Sequence, residues 1–372
     1  MNASKQSAPR IAVIGVGLMG GSLGLAARAK AGVQTVLGYS RSRATLELAL
    51  EIGAITAACD SLEEAASGAD LIFVATPVRM VVEHMRRALA VAPGDAVISD
   101  VGSTKNTLTQ ALSPAEQRRC VGGHPLCGSE TAGVGNARAT LYEGATYFLT
   151  PGTHVDAGAY QRLYEFIAQI GARPVAIDPA EHDRVMALVS HLPHVLANVL
   201  MAQAGADDGQ RDALLSAGPS FHDLTRIAGS NRRVWTDIFL ENRVALIDAV
   251  LDYRTGLDEM LAALQAADET RLGEYIGRAA ASRERMLASG SLAPGELWRL
   301  VVKVSDRPGV LREITVALGD ANINIEDMAL HHMSAELGGS LTVYVHGEEA
   351  CLRAAQLLAG LRYEVVTAKV VE

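Results

Sequence analysis

The segment from residue 10 to residue 20, RIAVIGVGLMG, decides the fold of the N-terminal part of the chain. A short apolar run of the kind found in buried strands is followed by three glycines in the spacing Gly-x-Gly-x-x-Gly. Gly15 permits a tight turn, Gly17 allows the backbone to approach a pyrophosphate, and Gly20 allows close packing of helix on strand. The free N–H groups of that helix would then face the phosphates of a dinucleotide. A tight turn without a ligand is the alternative.

The segments after this loop alternate between short apolar runs and helical patterns up to residue 177. Residues 35–39, 71–75 and 96–99 are further apolar runs, and a helical pattern covers residues 81–90. Later strand candidates are residues 120–123, 146–149 and 174–177. Strands that alternate with helices predict an α/β domain with a parallel, doubly wound sheet of the Rossmann type. We therefore assign residues 1–178 to a dinucleotide-binding Rossmann domain.

The pattern changes after Pro179 and again near residue 297. Residues 181–287 carry apolar residues at helical spacing, which predicts an all-helical domain over residues 179–288. Residues 289–296 are small, polar and contain glycine and proline, as in linkers. Residues 297–372 follow the order βαββαβ, which is typical of a ferredoxin-like domain.

Composition argues against several classes of protein. A chain of 372 residues is long enough for two or three domains. Its net charge of −9 argues against a nucleic-acid partner, because phosphate neutralisation needs a clustered basic surface. We find no run of 18 apolar residues and no apolar N-terminal segment, so we expect neither a membrane span nor a signal peptide. The four cysteines form no Cys-x-x-Cys pair, so we expect a cytoplasmic protein without disulfides.

The end of the second strand bears on the choice of cofactor. Residues 39–43 read Tyr-Ser-Arg-Ser-Arg, where an NAD-binding domain would place a carboxylate for the ribose 2′-hydroxyl. Arg41 and Arg43 suit a 2′-phosphate instead, which favours NADP over NAD. The alternative is that both arginines are solvated charges at a helix start. Thr76 and Pro77 follow the strand at residues 71–75, at the edge where α/β sheets bind ligands. The predicted cofactor-binding residues are Gly15, Gly17, Leu18, Met19, Gly20, Ser40, Arg41, Thr76 and Pro77.

Three clusters of polar residues are candidates for chemistry. His124 lies in GGHPLCGSE, where glycines and a proline hold it in a loop just after a strand. His191 and His194, in SHLPH, share one face of a helix at positions i and i+3. Arg226 lies amid apolar residues, as a carboxylate clamp or a buried salt-bridge partner would. A lone histidine is more often structural, and His124 with Cys127 supplies too few ligands to predict a metal.

Taken in order, these motifs resemble those of prephenate dehydrogenases over about residues 10–285. They are GVGLMG at residues 15–20, DVGSTK at 100–105, HPLCGSE at 124–130, SHLPH at 190–194, and LTRIAGS at 224–230 followed by DIFLEN at 237–242. The resemblance implies a Rossmann domain and a helical domain that mediates formation of a homodimer. The family commonly has Ser-Asp-Pro where residues 230–232 read Ser-Asn-Arg, which puts the turn before Trp235 in doubt. The remaining segment, with DRPGVL at 306–311 and NINI at 322–325, resembles an ACT domain.

The resemblance also implies roles for individual residues. His124 matches the catalytic histidine that engages the substrate's ring hydroxyl. Ser103 matches a serine that helps to position that histidine and the hydroxyl near the nicotinamide. His194 matches a substrate-binding histidine, and Arg226 matches an arginine that binds a carboxylate. Further positions around the substrate are matched by His191, Glu130, Asp223 and Trp235. A neutral imidazole suits the implied chemistry near neutral pH.

The implied activity is the oxidative decarboxylation of prephenate to 4-hydroxyphenylpyruvate, with hydride transfer to NAD(P)+, in tyrosine biosynthesis. Arogenate, which has an amino group in place of the keto group, is the alternative substrate. ACT domains often pair and bind amino acids near the loop after their first strand, so we hypothesise that tyrosine binds there and inhibits. The predicted effector-binding residues are Asp306, Gly309 and Asn324. A structural module without a ligand is the alternative.

Two other classes of protein are alternatives. β-Hydroxyacid dehydrogenases also join a Rossmann domain to a helical domain, but they rely on a catalytic lysine on a helix. The sequence has no lysine between Lys105 and Lys303, which disfavours that class. A non-catalytic sensor of a nucleotide and an amino acid is the rival from a different class. The presence of His124, Ser103 and Arg226 argues against such a sensor.

Overall fold

The computed structural model describes residues 8–127, 131–206, 214, 216–290, 297–305, 307–334 and 338–369. The chain divides into two compact units, of which the first comprises Met1–Gln210 and Thr225–Tyr253 and the second Arg211–Leu224 and Arg254–Glu372. The predicted domain boundaries at residues 178 and 288 stay predictions.

An eight-stranded sheet forms the centre of the first unit. In sequence its strands are β1 Ile11–Ile14, β2 Val36–Tyr39, β3 Ala57–Ala58, β4 Leu71–Val74, β5 Val97–Asp100, β6 Cys120–Pro125, β7 Thr146–Pro151 and β8 Arg173–Ala176. Their order in the sheet is β3-β2-β1-β4-β5-β6-β7-β8. The Rossmann-type fold predicted from the glycine-rich loop is confirmed. The prediction missed β3, which has only two residues.

The prediction of a wholly parallel sheet is wrong at one edge. Strands β1 to β6 are parallel, but β7 runs antiparallel to β6, and β8 is parallel to β7. The described residues between β6 and β7 contain one short 3-10 turn, Val134–Asn136, and no crossover helix, so the chain returns in the opposite direction. A buried apolar run does not encode strand direction, which is why the sequence pattern could not reveal this reversal.

Helices cover both faces of this sheet. They are α1 Leu18–Lys30, α2 Arg43–Glu51, α3 Leu62–Ser67, α4 Val81–Val91, α5 Asn106–Ala111, α6 Pro114–Gln117 and α7 Ala157–Gln169. Strand β1 explains the continuous apolar run, because Ile11 and Val13 pack in one hydrophobic cluster while Ala12 and Ile14 pack in another on the opposite face. Both faces of the sheet are therefore covered, and a ligand can bind at the carboxyl ends of the strands.

The middle of the chain is helical, as predicted. Its helices are α8 Pro179–Met186, α9 Leu192–Ala204, α10 Pro219–Thr225, α11 Arg232–Glu241, α12 Arg243–Gln265 and α13 Glu269–Gly290. A π-helical turn, Ala187–His191, joins α8 to α9, and such turns are frequent at functional sites. The continuous stretch Pro179–Ala204 is long and apolar enough to cross a membrane, which is weak evidence because core helices of soluble proteins pass the same test.

The C-terminal part contains a separate four-stranded antiparallel sheet. Its elements are β9 Leu297–Val304, α14 Val310–Asp320, β10 Asp327–Ser334, β11 Gly338–His346, α15 Glu348–Gly360 and β12 Val365–Lys369. The strand order is β10-β11-β9-β12, which confirms the predicted βαββαβ arrangement. Buried side chains such as Leu300, Ile314 and Leu358 fill the space between sheet and helices.

Candidate functional site

The glycine-rich loop has the geometry that its sequence predicts. Gly15 has a φ of +96°, and an added Cβ there would lie 2.5 Å from the carbonyl oxygen of Ala75. An added Cβ at Gly20 would overlap the Gly15 carbonyl oxygen and lie 2.7 Å from Val13 Cγ1. An added Cβ at Gly17, by contrast, would meet nothing within 4 Å. Gly15 and Gly20 therefore serve internal packing, while the open space at Gly17 lies where a ligand could approach.

A pocket of about 360 Å³ adjoins this loop at the carboxyl ends of β1, β2 and β4. Six predicted cofactor residues line it, namely Gly15, Gly17, Ser40, Arg41, Thr76 and Pro77. Leu18, Met19 and Gly20 are instead the first residues of α1 and are not among its lining residues. The position and open glycine backbone of this pocket fit a dinucleotide.

The two arginines after β2 differ in their surroundings. Arg41 lines the pocket. Arg43 lies 3.4 Å from Glu47 and 3.6 Å from Asp60, and it does not line the pocket. The pocket also contains His84, whose Nδ1 lies 3.0 Å from Thr76 Oγ1. Sequence reasoning missed His84, because a lone histidine in a helical pattern carries no signal of its own.

His124 is the centre of a second group of residues. It belongs to β6, paired opposite Phe148 of β7, so the prediction of a loop after the strand is wrong. The pairing with β7 extends β6 through Pro125. His124 Nδ1 lies 2.9 Å from His182 Nε2, and His182 Nδ1 lies 2.7 Å from an oxygen of Asp183. Both α8 residues are buried, and the sequence did not identify either of them.

The loop after β5 holds the Asp183 carboxylate. The backbone N–H groups of Lys105 and Asn106 donate to its two oxygens at 2.8 and 2.9 Å. The Lys105 side chain is itself fully buried and forms an ion pair with Asp100. Asp100 also accepts a hydrogen bond of 3.0 Å from the N–H of Gly123, next to His124. The DVGSTK segment therefore contributes backbone donors and a buried charge pair to the surroundings of His124.

Two further histidines lie on the helical side of the same unit. Asn242 donates to His191 Nδ1 at 3.0 Å and to the Asp183 carbonyl oxygen at 2.8 Å. His194 stacks on Trp235 with ring centroids 3.3 Å apart and an interplanar angle of 25°. Its Nδ1 is buried, with no hydrogen-bond partner among the described residues. This nitrogen is an unsatisfied hydrogen-bonding group inside the protein.

Burial keeps these imidazoles neutral. It holds the pKa of His124 well below its ordinary value, with further lowering by His182, Lys105 and His191. Burial also lowers the pKa of His191 to about 4 and that of His194 to about 4. Arg226 contributes to the lowering at His194, which places its positive charge near that ring. A neutral imidazole can accept a hydrogen bond or a proton near pH 7.

Other predicted site residues have different outcomes. Ser103 is half-buried in the loop between β5 and α5, and the described contacts include no hydrogen bond from it to His124. Glu130 and Asp306 lie outside the described residues. In the C-terminal domain, Gly309 precedes α14 with a φ of +91°, and the exposed Asn324 donates to Glu326 at 2.8 Å.

Metal-ligand geometry is absent from the described ranges. No group of three or more His, Cys, Asp or Glu side chains there could hold an ion.

A pocket beside the glycine-rich loop and a half-buried imidazole with a lowered pKa lie at the carboxyl ends of the strands of one Rossmann-type sheet, and together they define a nicotinamide-dependent dehydrogenase. Residues 23–176 match the family model of the prephenate dehydrogenase nucleotide-binding domain, and residues 178–278 match that of its dimerization domain. The chain belongs to the prephenate dehydrogenase family. Residues 298–350 match the model of the ACT domain, which confirms that part of the prediction.

Curated and solved relatives agree with this membership. The chain is 30% identical to prephenate dehydrogenase of Bacillus subtilis over 98% of its own length and 99% of the relative's. It is 32% identical to cyclohexadienyl dehydrogenase of Zymomonas mobilis over 76% and 98% of the two chains. Prephenate dehydrogenase from A. aeolicus, solved with hydroxyphenyl propionate and NAD+, superposes with a TM-score of 0.72 at 29% identity, over 76% of this chain and 100% of that one. Synechocystis arogenate dehydrogenase gives 0.66 at 28% identity, over 74% and 99%.

Proposed function

We propose that this chain catalyses the oxidative decarboxylation of prephenate to 4-hydroxyphenylpyruvate. The observation that carries the proposal is the position of His124 near the carboxyl end of β6, in contact with His182, where burial lowers the pKa of its imidazole. Its Nδ1 is engaged by His182, which leaves Nε2 to face a substrate. Cytoplasmic location and a homodimer belong to the same proposal.

The chemistry needs a base that a neutral imidazole can supply. When bound, NAD(P)+ provides the acceptor for the hydride of the hydroxyl-bearing ring carbon. His124 Nε2 accepts the hydrogen bond of the ring hydroxyl as that oxygen becomes carbonyl-like, and it stabilises the proton as it is released. Loss of the ring carboxylate as carbon dioxide supplies the electron pair that makes the ring aromatic, and the proton then returns to the phenolic oxygen. Ser103 helps to position the hydroxyl in this scheme.

A dianionic substrate also needs positive charge and hydrogen-bond donors. Arg226 supplies a guanidinium near His194, and such a group binds a carboxylate in bidentate fashion. His194, with its unpartnered Nδ1 stacked on Trp235, would hold the side chain of the substrate. His191 contacts Asn242 and would support the substrate-binding residues from behind. Glu130 is proposed as a further substrate-binding residue.

NADP is the proposed cofactor, ahead of NAD. Ser40 and Arg41 both line the pocket, and residues 39–43 at the end of β2 contain no carboxylate. Arg41→Ala should lower kcat/KM for NADP by roughly 10-fold or more, as loss of a charge-assisted contact does, and leave that for NAD nearly unchanged. Arg43→Ala is the matched control, because Arg43 pairs with Glu47 and Asp60. Equal effects of the two changes, or a wild-type preference for NAD, would contradict the assignment.

Arogenate is the second candidate substrate, favoured by the similarity to the Synechocystis arogenate dehydrogenase. The two substrates differ only at the side chain, and His194 is the residue that we propose to contact it. Initial rates of nicotinamide reduction with each substrate at equal concentration decide between them. A higher kcat/KM for prephenate supports the proposal, and turnover of arogenate alone replaces it.

The homodimer is supported by an apolar face on α12. Val244, Ile247 and Leu251 are 68%, 56% and 42% exposed, and their spacing places them on one side of the helix. They lie within the residues that match the dimerization-domain model. Covering this face with a second copy would remove exposed apolar area from water.

Tyrosine is the proposed effector of the C-terminal domain. The loop after β9 and the start of α14 supply the positive-φ Gly309, and Asn324 lies on the segment that precedes β10. Asp306 completes the proposed binding residues. Feedback by the end product would match the activity proposed for the first unit.

A further inference from the structure

We propose that His182 and Asp183 are positioning residues that fix the tautomer of His124. The proposal rests on the proposed function of His124 as the base. His182 and Asp183 belong to α8 and lie 58 and 59 positions from His124 in the sequence. The His182 side chain contacts His124, and the Asp183 side chain contacts His182.

The hydrogen bonds set the position of each proton. The Asp183 carboxylate can only accept, so the His182 nitrogen 2.7 Å from it must carry a proton. We propose that Nε2 of His182 carries no proton and accepts a hydrogen bond from His124 Nδ1, 2.9 Å away. His124 therefore carries its proton on Nδ1 and presents the lone pair of Nε2 to the substrate. This is the tautomer that a general base requires.

The backbone holds Asp183 at both of its oxygens, including the one that contacts His182. Its two oxygens accept hydrogen bonds from the backbone N–H groups of Lys105 and Asn106. An ionised carboxylate can accept at both oxygens, whereas a neutral carboxylic acid accepts less well because one oxygen carries a proton. The neighbouring Lys105 side chain is neutralised by its ion pair with Asp100. The carboxylate of Asp183 is the charged group that is hydrogen-bonded to this pair of imidazoles, through His182.

Exclusion of water strengthens the interaction. His182 is 0% exposed and Asp183 is 3% exposed, so their hydrogen bonds lie in a low-dielectric environment. The hydrogen bonds that connect His124, His182 and Asp183 are therefore shielded from competition with water. The titratable groups around His124 are His182, Lys105 and His191, and Asp100 and Asp183 are the carboxylates behind them. Of these, Asp183 alone is joined to His124 by a continuous line of hydrogen bonds through a second ring.

A similar arrangement has known energetic consequences. In a Ser-His-Asp triad the aspartate holds the imidazole in the correct tautomer, and its replacement by asparagine costs about 10⁴-fold in kcat. Here a second imidazole lies between the base and the carboxylate. We therefore expect a loss of about 10²–10⁴-fold in kcat for Asp183→Asn.

A purely structural role would produce a different set of results. If the two residues only attach α8 to the sheet, Asp183→Asn would lower the melting temperature and leave kcat and the tautomer of His124 unchanged. As positioning residues they should affect kcat with little change in KM or in cofactor binding. The acid limb of the kcat/KM profile should also move to a different pH, because the carboxylate no longer faces the imidazole pair.

The experiment compares four variants of the full chain with the wild type. Asp183→Asn removes the carboxylate, and Glu181→Gln makes the same chemical change at a surface ion pair on the same helix. His182→Phe removes the acceptor for His124, whereas His182→Gln retains an amide that can accept from His124 and donate to Asp183. We expect Glu181→Gln to match the wild type, His182→Gln to stay within about 10-fold in kcat, and His182→Phe to lose about 10²-fold or more. The glutamine and phenylalanine pair carries the kinetic test if Asp183→Asn does not fold.

A ¹⁵N–¹H correlation spectrum of the histidine rings supplies a readout that does not depend on turnover. The wild type should show His124 protonated on Nδ1, and Asp183→Asn and His182→Phe should change that pattern. Wild-type kcat and an unchanged His124 tautomer in both folded variants would overturn the proposal. Absence of wild-type turnover with prephenate and arogenate would overturn the proposed function instead, while the spectrum would still report on the tautomer.

Discussion

At the scale of single residues, the site depends on imidazoles that burial keeps neutral. His124 has a pKa well below its ordinary value, so it is unprotonated at neutral pH and can act as a base. We expect His124→Asn to reduce kcat by about 10²–10⁴-fold, because an amide cannot take up the proton. The affinity for NAD(P), measured by fluorescence titration, should not change. Turnover near that of the wild type would remove His124 from the mechanism.

His191 gives stability a defined dependence on pH. Its pKa falls from an ordinary 6.5 to about 4 in the folded protein, so the unfolded chain binds more protons between these values. Stability is therefore full above pH 6.5 and is lost as the pH falls toward 4. From pH 7 to pH 5 the loss attributable to this group should be about 2 kcal/mol. Asp183, His182 and His194 face the ring and act on the same titration.

Urea unfolding at pH 7 and pH 5 tests this dependence. His191→Gln removes the titrating ring and keeps an oxygen that can accept from Asn242. The variant should lose less stability on acidification than the wild type, by about the stated 2 kcal/mol. An equal loss in both proteins would show that His191 does not titrate in this range.

The sequence predicted His124, His194 and Arg226 because each lies in a motif that resembles those of prephenate dehydrogenases. His182 and Asp183 were missed because a His-Asp pair in a helix resembles any polar surface pair. Only the tertiary fold shows that both are buried and that they meet a strand far away in the chain. The orientation of Ser103 could not be inferred either, because hydrogen-bond partners depend on side-chain directions that spacing does not encode.

At the scale of elements, the glycine-rich loop separates packing from binding. Gly20→Ala should destabilise the protein by about 1–3 kcal/mol, because the added methyl group overlaps the Gly15 carbonyl oxygen. Gly17→Ala adds its methyl group in open space, so its melting temperature should match that of the wild type. Its dissociation constant for NAD(P) should nevertheless rise by about 10-fold or more, since the methyl group lies where the phosphates approach.

Thermal unfolding and cofactor titration of the two variants test this division of roles. Normal cofactor binding by Gly17→Ala would mean that the dinucleotide does not lie against this residue. A fully stable Gly20→Ala would mean that α1 and β1 can separate more easily than their contacts indicate.

The alternation of strands and helices predicted the Rossmann-type sheet, because apolar residues form short continuous runs in its central strands and recur at helical spacing in its helices. The reversal of β7 could not be predicted, because it depends on the path of the chain after β6 and not on the composition of either strand. The order of strands and helices along the C-terminal domain was predicted, since these elements are short and clearly separated in the sequence.

At the scale of the whole molecule, the C-terminal domain should connect activity to the supply of tyrosine. L-Tyrosine should lower the initial rate and raise the melting temperature, because a ligand of the native state stabilises it. Asn324→Ala should weaken both effects and leave the rate without tyrosine unchanged. Inhibition that is competitive with prephenate and is unchanged in Asn324→Ala would place tyrosine in the active site and contradict the proposed effector site.

The balance of products tests the proposed reaction most directly. Purified full-length protein is incubated with prephenate and NADP+ or NAD+, and reduced nicotinamide, carbon dioxide and 4-hydroxyphenylpyruvate are quantified in the same sample. Oxidative decarboxylation predicts equal amounts of all three, with none formed when His124→Asn replaces the wild type on the same time scale. Reduction without release of carbon dioxide, or no reduction with prephenate while arogenate is consumed, would contradict the proposed activity.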